Sequence, residues 1–208
     1  MKNYLMLNNK KIELSSEQVK QIEESFGFNK TQLKDVAVGE TFKVGELEFI
    51  VLEHKEYNSG NCETLVILKN FWKTDKFDEV SNDYKESSIR KSLNTEFYAL
   101  LSNAIESENI VKHKVDLISD DGRTDYGDCE DSISLLTCEM YRKYVYILDE
   151  HNPKKWWWLA TAYSTKSNGY EASVRCVFSD GPMSSRSCDD DYGVRPFCIL
   201  KSSIFVSK

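Results

Sequence analysis

Hydrophobic and polar residues alternate with a period of two over much of the chain, which predicts many short β-strands. Phe49 and Val51 alternate with other residues within the strand predicted at 47–54. The next strand is predicted at 63–69, with an unbroken apolar run at 65–68. A Gly45-Glu46 turn precedes them, so this part of the chain predicts an antiparallel meander. Further strands are predicted at residues 41–44, 132–136, 156–160, 172–178 and 194–200.

Two segments have the spacing of apolar residues that is typical of amphipathic helices. Residues 87–102 begin with Ser87 or Ser88 as the N-cap, and Thr137 caps a second helix that runs to about residue 145. The apolar stripe of the first helix consists of Ile89, Leu93, Phe97 and Leu100. Residues 70–86 are polar and predict no regular element.

The first 35 residues predict a small appendage to the main domain. Strands at residues 3–7 and 10–14 are joined by an Asn-Asn turn, and a helix follows. Ser15 lies three residues before Gln18, which is a capping-box pattern. Residues 28–40 are predicted to be a linker. The sequence therefore predicts an α+β main domain at residues 36–208, with a mixed or antiparallel sheet, two main helices and a loop-rich C-terminal half.

Composition and charge narrow the classes of function. The 208 residues carry a net charge of −7, which disfavours direct nucleic-acid binding because phosphate contacts need a basic surface. No apolar run is long enough to span a membrane, and the N-terminus lacks the features of a signal peptide. The six cysteines contain no C-x-x-C pair and are expected to be free thiols. We therefore expect a protein of a reducing compartment, without membrane contact.

Five ordered motifs resemble those of an uncharacterised family of bacterial and phage domains. The family's W-W-L-R-S-P motif is matched at Trp157-Trp158-Leu159, and its closing G-V-R-P-A motif at residues 193–196. The other three matches are residues 87–97, residues 131–141 and the V-x-x-D-G motif at residues 177–181. The chain departs from the family in having Ala160-Thr161-Ala162 in place of R-S-P, and Phe197 in place of the final alanine.

The C-terminal pattern is also similar to that of formylglycine-generating enzymes, which belong to the C-type-lectin-like fold. This resemblance implies a C-type-lectin-like domain. Arg195 precedes Pro196 in a strand-like closing motif, so we expect a buried, hydrogen-bonded structural arginine, with a ligand clamp as the alternative. The resemblance also implies loops that display ligand-binding residues, at 164–170 and 184–192. Because those enzymes use paired cysteines late in the chain, Cys188 and Cys198 suggest an alternative function as a thiol-dependent oxidase.

Aromatic and polar residues in the C-terminal half are the candidate ligand-binding residues. Period-two alternation would send Trp156 and Trp158 to one face of a strand and Trp157 to the other, so at least one face is expected in the core. The candidates are Trp156, Trp158, Tyr163, Asn168, Tyr170, Arg186, Asp189, Asp190 and Tyr192. The acidic segment 120–131 could supply oxygen ligands to Ca²⁺, but it lacks the EF-hand pattern, and no cofactor is expected.

These observations favour a non-enzymatic binding module that recognises a protein or a glycan through its C-terminal loops. The resemblance to bacterial and phage domains implies that a phage or mobile element encodes it, and that it is located in the bacterial cytoplasm or in a phage particle. An acidic inhibitor of a host defence protein with a basic groove is an alternative, since the charge suits such a partner. The oxidase is the alternative from the class of enzymes.

Overall fold

The computed structural model describes residues 3–7, 10–26, 30–57 and 62–208. It is a mixed α+β structure with mostly antiparallel sheets, as the sequence predicts. Its strands are β1 (Asn3–Leu7), β2 (Lys10–Leu14), β3 (Lys30–Gln32), β4 (Thr41–Val44), β5 (Leu47–Glu56), β6 (Cys62–Leu68), β7 (Lys73–Lys76), β8 (Ile110–Val111), β9 (His113–Asp116), β10 (Asp128–Asp131), β11 (Ile133–Ser134), β12 (Trp157–Ala162), β13 (Ser173–Val177), β14 (Met183–Ser187), β15 (Asp191–Val194), β16 (Phe197–Lys201) and β17 (Phe205–Ser207). Its α-helices are α1 (Ser16–Phe26), α2 (Ser88–Ser92), α3 (Tyr98–Ser102), α4 (Cys138–Lys143) and α5 (Val145–Glu150).

Two sheets form the main domain. The larger sheet has the order β11-β16-β6-β5-β4-β17-β3, with β8 also pairing with β16. The smaller sheet has the order β14-β13-β12-β15-β7, in which β12 and β15 are parallel. β1 pairs with β2, and β9 pairs with β10, in separate two-stranded sheets.

The large sheet buries apolar side chains on both faces, which explains the unbroken apolar runs in β5, β6 and β16. On one face, Val51, Val66 and Cys198 pack towards α2 and α3. On the other face, Ile67 and Phe197 pack towards α4 and α5. Helices therefore cover both sides of this sheet.

The predicted helix at residues 87–102 contains a π-helical turn. Helices α2 and α3 are joined by a π-helical segment, Leu93–Phe97, which spaces its hydrogen bonds one residue wider than an α-helix. Ser87 is the N-cap, since its Oγ accepts a hydrogen bond from the amide of Arg90. The extra residue moves the apolar stripe, so Leu101 is 0% exposed and Leu100 is 45% exposed. The prediction that Leu100 completes the stripe is wrong for this reason.

The N-terminal predictions are confirmed where the structure describes these residues. Ser15 and Gln18 form the capping box: the amide of Ser15 donates to Gln18 Oε1 at 2.9 Å, and the amide of Gln18 donates to Ser15 Oγ at 3.2 Å. The predicted Asn-Asn turn lies outside the described residues. The predicted linker, however, contains β3, which pairs with β17, and the buried Leu33. Residues 30–35 thus pack with the main domain and not with the appendage.

Three predictions about strands need correction. β7 lies within the segment predicted to be irregular, and β14 lies within a predicted loop region. The single strand predicted at 194–200 is two strands, β15 and β16, which belong to different sheets and are separated by Arg195-Pro196. Proline cannot donate a backbone hydrogen bond, which suits the transfer of the chain from one sheet to the other.

Candidate functional site

The three consecutive tryptophans lie in different environments. Trp157 is 1% exposed and packs on the α4–α5 side, whereas Trp158 is 0% exposed and packs on the opposite side. The Trp158 indole donates its N–H to the carbonyl of Asp75 at 3.0 Å. Trp156 lies on the same side as Trp158 but is only partly buried. The predicted alternation is therefore present, but Trp158 belongs to the core and cannot contact a ligand.

Trp156 stacks with two other aromatic rings at the end of the small sheet. Its ring centroid lies 4.0 Å from that of Phe178 and 5.2 Å from that of Tyr192. The guanidinium of Arg186 lies 4.3 Å from the Trp156 ring centroid and 5.2 Å from that of Phe178. We call Trp156, Phe178, Tyr192 and Arg186 the Trp156 cluster. Stacked rings and a cation over a ring face hold each other in fixed orientations.

A cavity of about 530 Å³ opens beside this cluster. We call it the Trp156 cavity. Its aromatic wall is formed by Phe71, Trp156 and Tyr192, and Gly193 contributes backbone. Its polar lining residues are Thr74, Lys154, Lys155, Ser179 and Asp191. Aromatic walls with a few polar groups are typical of small-ligand sites.

Gly193 keeps Phe71 in place. A Cβ atom on Gly193 would lie 2.4 Å from Cε2 of Phe71, which is shorter than any ordinary contact. The glycine of the G-V-R-P motif thus lets the Phe71 ring pack directly on the backbone of β15. This close approach shapes the wall of the cavity.

Arg195 of the same motif is buried below the cavity and holds the two sheets together. Its Nε donates to the carbonyl of Leu68 at 2.8 Å, and its Nη2 donates to the carbonyl of His151 at 3.2 Å. The guanidinium carbon lies 5.2 Å from the ring centroid of Trp157. Burial lowers the pKa of Arg195 to about 10. Arg195 is 0% exposed, so it is a structural residue, as the sequence predicts.

Lys154, at the rim of the cavity, has an unusual backbone conformation. It has φ of 57°, in the left-handed region that side chains other than glycine rarely adopt. The amide of Lys154 donates to Asn152 Oδ1 at 2.9 Å, and Asn152 Nδ2 donates to the carbonyl of Ser179 at 3.2 Å. This conformation costs about 1 kcal/mol. Asn152 therefore fixes a strained lysine at the entrance of the cavity.

The remaining candidates do not lie together. Asp190 lies near the Trp156 cluster, because the Tyr192 hydroxyl donates to its carboxylate at 3.5 Å. Asp189 is exposed and bonds Ser187, which lowers the pKa of its carboxyl. Tyr163 and Tyr170 form a separate exposed pair with ring centroids 5.3 Å apart.

The loop that carries Asn168 is held by the acidic segment. Asn168 Nδ2 donates to Ser164 Oγ at 3.1 Å, and Ser164 Oγ donates to Asp121 at 2.7 Å. Thr165 and Ser167 both donate to Asp125, at 2.6 and 2.9 Å. The side chains of Thr165, Ser167 and Asn168 are therefore held by hydrogen bonds within the protein, and those of Ser167 and Asn168 are also exposed. Asn168 stays a predicted ligand-binding residue.

The acidic segment uses its carboxylates in the same internal contacts. Hydrogen bonds from Ser119 and Ser164 lower the pKa of Asp121, and those from Thr165 and Ser167 lower the pKa of Asp125. Asp120 pairs with Arg142 at 2.7 Å. In the described part of the chain, no group of three or more His, Cys, Asp or Glu side chains could hold a metal ion. The carboxylates of residues 120–131 therefore give no geometric support to the interpretation of this segment as a Ca²⁺ site.

The two cysteines of the oxidase hypothesis are buried in the core. Cys188 and Cys198 are 1% and 0% exposed and are free thiols. Burial raises the pKa of both thiols, and the charge of Asp189 raises that of Cys188 further. Reactive thiols require the opposite, a lowered pKa and access to solvent.

Sequence reasoning missed several residues of the site. Phe178 and Phe71 look like core residues in the sequence, and nothing local indicates that they flank Trp156. Lys154 and Lys155 gave a weak signal, since two lysines directly precede the tryptophans. Asp191 follows the two predicted candidates Asp189 and Asp190 in an acidic run, and nothing in the sequence singles it out. The cavity depends on pairing of β15 with both β12 and β7, which brings these residues together from distant positions.

Comparison with known proteins identifies a family for most of the chain. A family model described as "Domain of unknown function (DUF6273)" matches residues 61–202, from the start of β6 through β16. All residues that line the Trp156 cavity lie within this range. No curated protein and no solved structure matches the chain. Among the described residues, no helix has the length and apolar character needed to cross a membrane.

Proposed function

The chain belongs to the DUF6273 family, and we propose that it is a non-enzymatic binding module that recognises a carbohydrate at the Trp156 cavity. The observation that carries this proposal is the partly exposed, stacked ring of Trp156 at the wall of a 530 Å³ cavity. Sugar rings present flat C–H faces that pack on aromatic rings. Their hydroxyl groups require hydrogen-bonding partners at the edges of the same site.

The polar groups of the cavity suit this ligand. Thr74 and Ser179 can donate and accept hydrogen bonds, whereas Asp191 accepts them and the two lysines donate them. The rings are held by packing before any ligand arrives, because Tyr192 also packs edge-to-face on the buried Trp158 at 4.8 Å. A preformed site loses little conformational entropy on binding.

Binding without catalysis is favoured by the chemistry of the lining residues. Hydrolysis of a glycosidic bond generally needs two carboxyl groups that face each other across the bond. Among the described residues that line the Trp156 cavity, Asp191 is the only one with a carboxylate, and none is a histidine or a cysteine. The buried thiols of Cys188 and Cys198 likewise favour binding over an oxidase function.

We also propose a C-type-lectin-like assignment for the domain and a phage or mobile-element origin. The resemblance to formylglycine-generating enzymes rests on a C-terminal motif that closes the core. The contacts of Gly193 with Phe71 and of Arg195 with Leu68 and Trp157 are consistent with that role. Display of such a domain on a particle would suit recognition of a surface glycan.

The experiment that tests the proposed function is a glycan array probed with four proteins. We expect the wild type to bind a defined set of glycans and the Trp156→Ala variant to lose at least about fivefold in affinity, because a stacked aromatic contact typically contributes about 1 kcal/mol. Tyr192→Ala should behave like Trp156→Ala. Tyr163→Ala is the matched control, since it removes an exposed aromatic ring outside the cavity.

Thermal unfolding of each variant separates loss of binding from loss of folding. Absence of wild-type binding to any glycan would contradict the proposed function. Equal loss of binding in Trp156→Ala and Tyr163→Ala would place the ligand elsewhere on the surface.

A further inference from the structure

We infer that the carbohydrate bound at the Trp156 cavity is acidic, and that Lys154 and Lys155 bind its negatively charged group. This inference rests on the proposed function. It adds the charge of the ligand and assigns a role to two residues that no motif of the family includes.

The two lysines are adjacent in sequence and both line the cavity next to Trp156. Both are exposed at its rim. Many other lysines in the described part of the chain pair with a carboxylate; Lys69, for example, bonds Glu48 at 2.9 Å, and Lys143 bonds Glu53 at 2.8 Å. Within the described residues, no such ion pair involves Lys154 or Lys155. On a chain with net charge −7, two unpaired cations at one cavity form a local site for an anion.

The backbone of Lys154 supports a role for its side chain. A residue with φ of 57° is strained unless it is glycine, so a lysine at this position carries a structural cost. Asn152 binds both the Lys154 amide and the Ser179 carbonyl, and Ser179 also lines the cavity. The strained turn is thus tied to the wall of the site. This arrangement holds the Lys154 backbone at the entrance.

The acidic lining residue offsets only part of this charge. Two lysines and one carboxylate, that of Asp191, line the cavity, so these three groups together carry a net charge of +1. Asp191 lies opposite Lys76 in the register of β15 and β7, and Lys76 pairs with Glu79 at 2.9 Å. Asp191 can accept hydrogen bonds from sugar hydroxyls, while the lysines face the anionic group.

The ligand chemistry that fits is a sugar ring bearing a carboxylate, sulfate or phosphate. The ring packs on Trp156 and Tyr192, and the anionic group lies at the rim beside the lysines. A lysine ammonium is a compact charge with three donors, and it binds such groups without requiring one fixed geometry.

Matched glycan pairs test the charge of the ligand. The pairs are sialyllactose with lactose, trigalacturonate with its methyl ester, and sulfated lactose with lactose. We expect the wild type to bind an acidic member at least about fivefold more tightly than its neutral counterpart, as two charge contacts at an exposed rim would give. The pair that responds identifies carboxylate or sulfate as the recognised group. A phosphorylated and an unphosphorylated mannose serve as the fourth pair.

The outcomes separate this inference from the proposed function. Equal binding of neutral and acidic members would overturn the acidic ligand but leave a carbohydrate-binding module. Failure to bind any member of the four pairs, acidic or neutral, would count against both. Preference for the acidic member that does not depend on the lysines would overturn their assigned role.

Two variants test the lysines with the acidic probe that binds most tightly. Lys154→Gln with Lys155→Gln should reduce affinity by about fivefold and remove most of the dependence of binding on salt concentration. The matched control is Lys91→Gln with Lys112→Gln, which changes the net charge equally at two exposed lysines outside the cavity. Equal effects of the two double variants would show a general charge effect and overturn the inference.

Lys154→Gly provides a readout that a purely structural role would not give. Glycine relieves the strain at φ of 57°, so the melting temperature should rise while affinity for the acidic probe falls. A rise in melting temperature with unchanged affinity would show that Lys154 has no part in binding.

Discussion

Gly193 lies where only a hydrogen atom fits between β15 and the ring of Phe71. We predict that Gly193→Ala destabilises the protein by about 1–3 kcal/mol, because the new methyl group would lie 2.4 Å from that ring and force it to move. Equilibrium unfolding in urea measures this cost. The displaced ring would also change the wall of the Trp156 cavity, so ligand affinity should fall in the same variant.

A double-mutant cycle checks the cause of that effect. In a Phe71→Ala background the clash is absent, so Gly193→Ala should cost much less than it does in the wild type. Additive effects of the two substitutions would show that the Phe71 contact is not the reason for the glycine.

At the scale of single residues, the sequence predicts the types of residue that form the site. It predicts the individual residues less well. Trp156, Tyr192 and Arg186 are predicted candidates and lie in the Trp156 cluster. Trp158 was a candidate for the same chemical reason but is buried. Alternation within a strand shows which residues share a face of the sheet. It does not show whether the rest of the protein covers that face at the end of the strand. Phe71 could not be predicted, because the pairing of distant strands brings it to the cavity, whereas the position of Lys154 next to the tryptophans gave only a weak signal.

At the scale of elements, the π-helical segment Leu93–Phe97 decides which residue completes the apolar stripe. We predict that Leu101→Ala destabilises the protein by about 2–5 kcal/mol, because it empties a fully buried site. Leu100→Ala should cost less than about 1 kcal/mol, since Leu100 is half exposed. Urea unfolding of both variants measures the difference. A larger cost for Leu100→Ala would contradict the π-helical register.

The π-helical turn has a cause outside its own helix. Asn94 Nδ2 donates to the carbonyl of Ile133 at 2.9 Å, and Asn94 Oδ1 accepts the amides of Ser132 and Ile133 at 3.1 and 3.2 Å. These contacts connect the helix to β11. A sequence pattern that assumes 3.6 residues per turn cannot include such a distant constraint, so it predicts Leu100 where the structure buries Leu101.

Local elements were predictable and edge strands were not. The capping box of α1 depends only on residues three apart, and its prediction is confirmed. β7 and β14 were missed because they are the two edges of the small sheet, where polar residues such as Lys73 and Ser185 are tolerated. Their apolar content is too low to produce the alternation by which strands are recognised.

At the scale of the whole molecule, hydrogen bonds to Asp121 and Asp125 join the acidic segment to the loop at 164–170. These bonds lower the pKa of both carboxyls in the folded protein. A group with a lowered folded pKa stabilises the protein above its unfolded pKa, and this contribution is lost as pH falls through the folded pKa. Lowering the pH should therefore weaken the hydrogen bonds that join the acidic segment to the loop at 164–170.

We predict that the variant with Asp121→Asn and Asp125→Asn has a lower melting temperature than the wild type at pH 7. The difference should shrink below about pH 4, the ordinary range for aspartate, and vanish once both carboxyls are protonated in the wild type. Thermal unfolding across pH measures this. Asp189→Asn is the control, because the side-chain hydrogen bond that lowers the pKa of Asp189 comes from Ser187 two residues away and connects no distant segment, and Lys76 adds only the effect of its charge. A difference that grew on acidification would contradict the assignment.

The central claim is that a carbohydrate binds the molecule at Trp156, and indole N–H signals in a ¹H–¹⁵N NMR titration test it most directly. The acidic member of the best-binding glycan pair is the probe, and Trp156→Phe assigns the Trp156 signal. We predict that the Trp156 signal shifts with ligand concentration, whereas those of the buried Trp157 and Trp158 move much less. Saturable binding of the glycan without a shift of the Trp156 signal would contradict the account.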